Sequence, residues 1–102
     1  MINDLSIGSG KIVFNNFPEN VEFNTPEAYE ELKEDLIQIV YSNRFLIDVG
    51  WYPSFQENGQ FTLFLIENND WEKPVFKKRT RSIKVVREII EEYAAYIDSQ
   101  LK

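Results

Sequence analysis

FLIDVGWYPSFQENGQFTLFLI, residues 45–66, is the stretch of sequence that decides the fold. Residues 45–52 and 61–66 are rich in apolar side chains that recur at every second position, which is the period of a β-strand. Between them lies the dipeptide Asn58-Gly59, a strong signal for a tight turn between two strands. The stretch therefore predicts an antiparallel β-hairpin.

Further strands are expected on either side of this hairpin. The turn residues Asn68-Asn69-Asp70 precede a run from Pro74 to Lys78, which predicts a third strand. Residues 1–24 form the least regular segment, in which only the β-prone run from Lys11 to Phe14 can make an edge strand.

Two helices are predicted. The first runs from a Thr25 cap to about Ser42-Asn43, because apolar residues recur at three- and four-residue steps, as at Leu32 and Leu36. The second runs from a Ser82 cap to about Gln100, uninterrupted by glycine or proline.

These elements predict one α+β domain that spans residues 1–102. We expect an antiparallel meander sheet of three to four strands, because successive strands are joined by short turns. Two apolar helix stripes need a surface to cover, so both helices are expected on one face of the sheet.

Composition excludes several classes of chemistry. The chain of 102 residues contains no cysteine and no histidine, which removes disulfides, thiolate metal sites and catalytic triads. We expect no cofactor, no metal and no catalytic residue. The first residues lack the pattern of a signal peptide, and no apolar run could cross a membrane. We therefore expect a cytoplasmic protein with no membrane partner.

Charge is distributed unevenly along the chain, whose net charge is -6. Five acidic residues cover the exposed side of the first predicted helix, and they are Glu27, Glu30, Glu31, Glu34 and Asp35. Such a stripe is commonly an ordinary solvated surface. Alternatively, it is a face that attracts a basic partner and selects against acidic ones.

Residues 77–87 contain six basic residues and no acidic one. These cations can balance neighbouring carboxylates within the chain. The alternative is a small regulatory or nucleic-acid-associated module that uses this segment to contact phosphates. No aromatic residue interleaves the segment for base stacking, and the net charge of the chain is negative, so we expect no nucleic-acid partner.

Aromatic residues cluster at the ends of the predicted hairpin. Trp51, Tyr52, Phe55 and Trp71 can close the core, which is what aromatics at strand ends usually do. Alternatively they are anchors for a protein partner, because Trp and Tyr dominate interface hot spots.

Residues 30–97 contain a D-x-G-W-x-P, N-G and D-W-x-x-P pattern. It is carried by Asp48-Val49-Gly50-Trp51-Tyr52-Pro53, Asn58-Gly59 and Asp70-Trp71-Glu72-Lys73-Pro74, with Arg79-Thr80-Arg81 opening the last helix. With this pattern the chain resembles a family of immunity proteins from bacterial contact-dependent growth inhibition systems. The resemblance implies a non-enzymatic cytoplasmic protein that binds the C-terminal domain of a secreted toxin and blocks its active site. Such toxins are often nucleases, including RNA-cleaving ones.

The charge pattern and the resemblance suggest one mechanism. A nuclease that attracts RNA has a positive cleft, and an acidic inhibitor can occlude that cleft. We expect the partner-binding residues to be the five acids of the first predicted helix together with Tyr52, Phe55 and Trp71. Charge pairs would set the association rate, and buried aromatics would slow dissociation. A small-molecule partner is not expected.

Overall fold

The computed structural model of the chain describes residues 5–17 and 32–102. These residues form an α+β domain with five strands followed by one helix. The elements are β1 (Lys11–Asn15), β2 (Ile37–Tyr41), β3 (Phe45–Tyr52), β4 (Gln60–Glu67), β5 (Phe76–Thr80) and α1 (Ile83–Leu101).

The five strands form one antiparallel meander in the order β1-β2-β3-β4-β5. The predicted hairpin is β3 and β4, which pair along their whole length, with Val49 opposite Leu63. The predicted third strand is β5, and it begins at Phe76, after Pro74. The predicted edge strand is β1, so residues 11–15 confirm that expectation. Residues 1–4 and 18–24 of the same irregular segment lie outside the described residues.

The core lies between α1 and one face of the sheet. Alternate residues of β2, β3 and β4 point into it and are buried, and they are Ile37, Ile39, Tyr41, Phe45, Ile47, Val49, Trp51, Phe61, Leu63 and Leu65. The helix contributes Val86, Ile89, Ile90, Tyr93, Ala94 and Ile97. Each fully buried aliphatic or aromatic side chain contributes about 1.5–3 kcal/mol, so this cluster is the main source of stability.

Helix α1 agrees with the prediction for residues 82–100. The hydroxyl oxygen of Ser82 accepts a hydrogen bond from the Val85 amide at 3.3 Å, which caps the first turn. Further along, the Tyr93 hydroxyl donates to the Leu63 carbonyl at 3.0 Å and so fixes the helix against β4. No helix within residues 5–17 and 32–102 is both long enough and apolar enough to cross a membrane.

The first predicted helix is wrong from residue 32 onward. Residues 37–41 form β2, and residues 32–36 are irregular. The reason is that Ile37, Ile39 and Tyr41 are buried at every second position against β3, whereas Val40 is only half-buried. Ile is also β-branched, which favours strands. Residues 25–31 of that predicted helix lie outside the described residues. The sheet thus has five strands instead of three to four, and one helix is seen in the described ranges.

Candidate partner-binding surface

The face of the sheet directed away from α1 is here called the distal face. Strand alternation and register assign to it Gln38 and Val40 of β2, Leu46, Asp48, Gly50 and Tyr52 of β3, Gln60, Thr62, Phe64 and Ile66 of β4, and Lys77 and Arg79 of β5. One cross-strand row on this face reads Gln38, Asp48, Phe64, Lys77. A carboxylate, an aromatic ring and an ammonium group therefore follow one another across neighbouring strands.

The segment that enters β2 runs beside the end of β3. The Leu36 amide donates to the Val49 carbonyl at 3.0 Å, and the Trp51 amide donates to the Lys33 carbonyl at 2.8 Å. Glu34 and Asp35 lie between these two bonds, opposite Gly50, and form an exposed bulge. The Glu34 carbonyl oxygen sits where a side chain on residue 50 would be, so only glycine fits there.

This bulge brings acidic side chains next to the distal face. Burial, and to a smaller extent the nearby Asp35 carboxylate, together raise the pKa of the Asp48 carboxyl to about 6. Burial also raises the pKa of Tyr52 to about 12, with additional contributions from Asp48, Glu34 and Asp35. Three carboxylates thus act together on one part of the surface, and each disfavours further negative charge there.

A row of aromatic rings lies beside these acids. Tyr52 packs edge-on against Phe64 with 6.2 Å between ring centroids, and Phe64 packs edge-on against Trp71, also at 6.2 Å. Trp71 comes from the turn after β4 and remains 46% exposed. We call the combined patch the acidic–aromatic surface, and its residues are Glu34, Asp35, Asp48, Tyr52, Phe64 and Trp71.

Four of the eight predicted partner-binding residues meet on this surface. They are Glu34, Asp35, Tyr52 and Trp71. Glu27, Glu30 and Glu31 lie outside the described residues. Glu34 and Asp35 were predicted on a helix, and that placement is wrong, because they lie in the irregular segment beside β3. Phe55 is 53% exposed on the β3–β4 loop, where its amide donates to the Leu32 carbonyl.

Trp51 closes the core, which is the first of the two roles considered for it: it is fully buried, and its indole nitrogen donates to the Gln56 carbonyl at 2.7 Å. Asp48 was not among the residues expected to bind a partner, although it is the one charged residue within the otherwise uncharged strand β3. A carboxylate in the middle of a strand with buried neighbours on both sides was the available signal.

Several cations of residues 77–87 are engaged within the chain. The Lys78 ammonium pairs with Glu92 at 2.7 Å. The Arg81 guanidinium donates to the Glu57 and Gly59 carbonyls and lies over the Trp51 ring. The Lys77 ammonium lies 5.6 Å from the Phe64 ring centroid. These contacts support the interpretation in which the basic segment balances groups of the same chain.

Within residues 5–17 and 32–102, no group of three or more acidic residues is arranged to hold a metal ion. Comparisons of the chain with protein-family models, with curated proteins and with solved structures found no match.

Proposed function

We propose that this protein is an immunity protein. It binds the C-terminal domain of a toxin of contact-dependent growth inhibition and occludes a basic active-site cleft, such as that of an RNA-cleaving nuclease. The family resemblance of residues 30–97 suggests the system. The observation that carries the proposal is the acidic–aromatic surface, in which the exposed carboxylates of Glu34 and Asp35 lie near Tyr52, at one end of a row of aromatic rings that leads through Phe64 to the exposed Trp71.

Each part of this surface has a separate task in the proposed complex. Glu34 and Asp35 are exposed, so they attract a positive cleft at long range and accelerate encounter. Trp71 is half-exposed but supported from below by Phe64, so it can be buried by a partner without losing its orientation. Supported aromatics of this kind are typical interface hot spots.

The test uses the toxin domain encoded beside the gene of this protein. Co-expression should keep cells alive, and the two proteins should co-purify. Glu34→Gln and Asp35→Asn should each slow association by up to about fivefold at low salt, since one charge pair in water is worth about 1 kcal/mol. Each should also weaken the dependence of the association rate on salt. Trp71→Ala should instead raise the dissociation rate by about 30-fold.

Glu88→Gln is the matched control, because it removes one exposed carboxylate from α1, away from the distal face. It should leave both rates unchanged. Equal effects of Glu88→Gln and Glu34→Gln would show that only net charge matters and would remove this surface from the interface. Toxin-independent retention on heparin at low salt would favour the nucleic-acid alternative for residues 77–87.

A further inference from the structure

The distal face carries charges of both signs on opposite sides of the sheet. Glu34 and Asp35, here called the acidic flank, are exposed on the bulge beside β3. Lys77 and Arg79, here called the basic flank, are exposed on β5, and strand alternation directs both of them to the distal face. The charge of this face therefore changes sign from one side of the sheet to the other.

Two aromatic rings lie between the flanks. Tyr52 leans over Gly50, because its Cε2 atom is 3.0 Å from the position that a Cβ of residue 50 would take, and its ring packs edge-on against Phe64. Burial, then Asp48 and the acidic flank, raise the pKa of Tyr52, so the acids lie near this ring. The Lys77 ammonium lies 5.6 Å from the centroid of the Phe64 ring. One ring thus adjoins the acidic flank and the other adjoins the basic flank.

The two flanks do not neutralise each other. From the bulge the sheet leads through Gly50 of β3 and Thr62 of β4 to Arg79 of β5, which is three strand spacings or about 14 Å between backbones. Both ion pairs within the described ranges join other residues. At physiological ionic strength exposed charges are screened beyond about 8 Å, so each flank acts on a partner separately.

We propose that the protein partner presents a bipolar surface to the distal face, with basic side chains over the acidic flank and at least one carboxylate over the basic flank. The inference rests on the proposed function and adds an acidic group to one side of the basic cleft. Charge complementarity carries it, because a uniformly basic cleft would be attracted by Glu34 and Asp35 but repelled by Lys77 and Arg79. Enzymes that cleave phosphodiesters use carboxylates for proton transfer or to hold metal ions, so a carboxylate within a basic cleft is consistent with a nuclease.

Arg79 is the better reporter of the two cations. The Lys77 ammonium already contacts the Phe64 ring, whereas neither ion pair of the described ranges involves the Arg79 guanidinium. A guanidinium can donate two parallel N–H bonds to one carboxylate, which fixes the orientation of the partner as well as attracting it. Arg79 is also exposed, so its replacement should leave the fold intact.

The first experiment tests the free protein for the two flanks. The isotope-labelled full chain is mixed at physiological salt with a small nitroxide that carries an amine, a carboxylate or an uncharged amide, and the paramagnetic relaxation of its amide protons is measured by NMR. Relative to the uncharged nitroxide, the amine should enhance relaxation at residues 34 and 35, and the carboxylate at residues 77 and 79. Arg79→Gln should reduce the effect of the carboxylate nitroxide on β5. Lys102→Gln is the matched control, because it removes an exposed cation at the far end of α1 from Arg79, and it should leave that effect unchanged.

The second experiment measures association with the toxin domain. Arg79→Gln should slow association by up to about fivefold at low salt, since it removes one attractive charge pair. A uniformly basic cleft predicts the opposite sign, because the loss of a repelling cation would speed association. Arg79→Glu should slow association further, and replacing one acidic residue of the toxin domain by lysine should restore its rate. Lys102→Gln should associate like the wild type.

The outcomes separate the inference from the proposed function. If Arg79→Gln speeds association or leaves both rates unchanged, the inference is overturned and the proposed function stands. If the amine and carboxylate nitroxides act on the same residues, the face is not bipolar and the inference is overturned without any toxin. If Arg79→Gln weakens binding of a single-stranded oligonucleotide but not of the toxin domain, the basic flank serves a nucleic acid and the inference is overturned. If the nitroxides separate as expected and the toxin domain does not bind, the bipolar face is supported and the proposed partner is wrong.

Discussion

Replacing Asp48 by asparagine should change how the stability of the protein depends on pH. Asp48 is enclosed in the sheet, and burial, followed by the charge of Asp35, raises its pKa from 3.8 to about 6. Below both values the side chain is neutral in the folded and the unfolded chain, and above both it is charged in both. Only between them do the two states differ in bound protons.

The sign follows from which state holds the proton. Between pH 3.8 and about 6, the folded chain keeps a proton at Asp48 that the unfolded chain has lost. The contribution of Asp48 to the free energy of unfolding therefore falls as pH rises through this window and stays low above it. At about 1.4 kcal/mol per pKa unit the full shift amounts to about 3 kcal/mol, and solvent screening reduces the expected loss to about 1–2 kcal/mol.

The measurement is urea unfolding followed by tryptophan fluorescence, from about pH 4 to about pH 8. Asparagine does not titrate, so the stability of Asp48→Asn relative to the wild type should rise by about 1–2 kcal/mol across the window. The substitution also changes the free energy of unfolding by a constant amount that does not depend on pH. Asp35→Asn should reduce the wild-type slope only slightly, because burial is the larger cause of the pKa shift, and Glu88→Gln should leave the slope unchanged. A difference between wild type and Asp48→Asn that stays constant from pH 4 to pH 8 would refute the reasoning.

Two further substitutions test the packing around the surface. Gly50→Ala should lower the free energy of unfolding by about 1–3 kcal/mol, because the Cβ of alanine would meet the Glu34 carbonyl oxygen. Urea unfolding with an unchanged m-value measures this loss. A variant as stable as the wild type would contradict the close approach of Glu34 to residue 50. Tyr93→Phe should lower the free energy of unfolding by about 1 kcal/mol, because it removes the hydrogen bond from the Tyr93 hydroxyl to the Leu63 carbonyl, and an unchanged urea midpoint would show that this bond is dispensable.

The elements that could be predicted from the sequence carry local signals. The β3–β4 hairpin combines alternation over two runs with Asn58-Gly59 between them, and neighbouring strands need no distant information to pair. Helix α1 combines a Ser82 cap with an apolar stripe over five turns. In both cases the periodic pattern and the terminal signal, a turn for the hairpin and a cap for the helix, agree with the tertiary structure.

Strand β2 could not be predicted in the same way. Leu32, Leu36 and Val40 follow the helical period, while Ile37, Ile39 and Tyr41 follow the strand period over the same few residues. A short apolar run satisfies both patterns. The choice between helix and strand is decided by the pairing of Ile37 with Val49 and of Tyr41 with Phe45, which depends on where β3 lies in the fold.

The candidate surface was predictable in composition but not in arrangement. Sequence identified Glu34, Asp35, Tyr52 and Trp71 as acids and aromatics suited to a partner. The sequence pattern placed these acids on a helix, because it could not show that residues 33–36 form a bulge beside β3, opposite Gly50. It also did not identify Asp48, whose raised pKa depends first on burial in the folded sheet and second on Asp35, which comes from another segment.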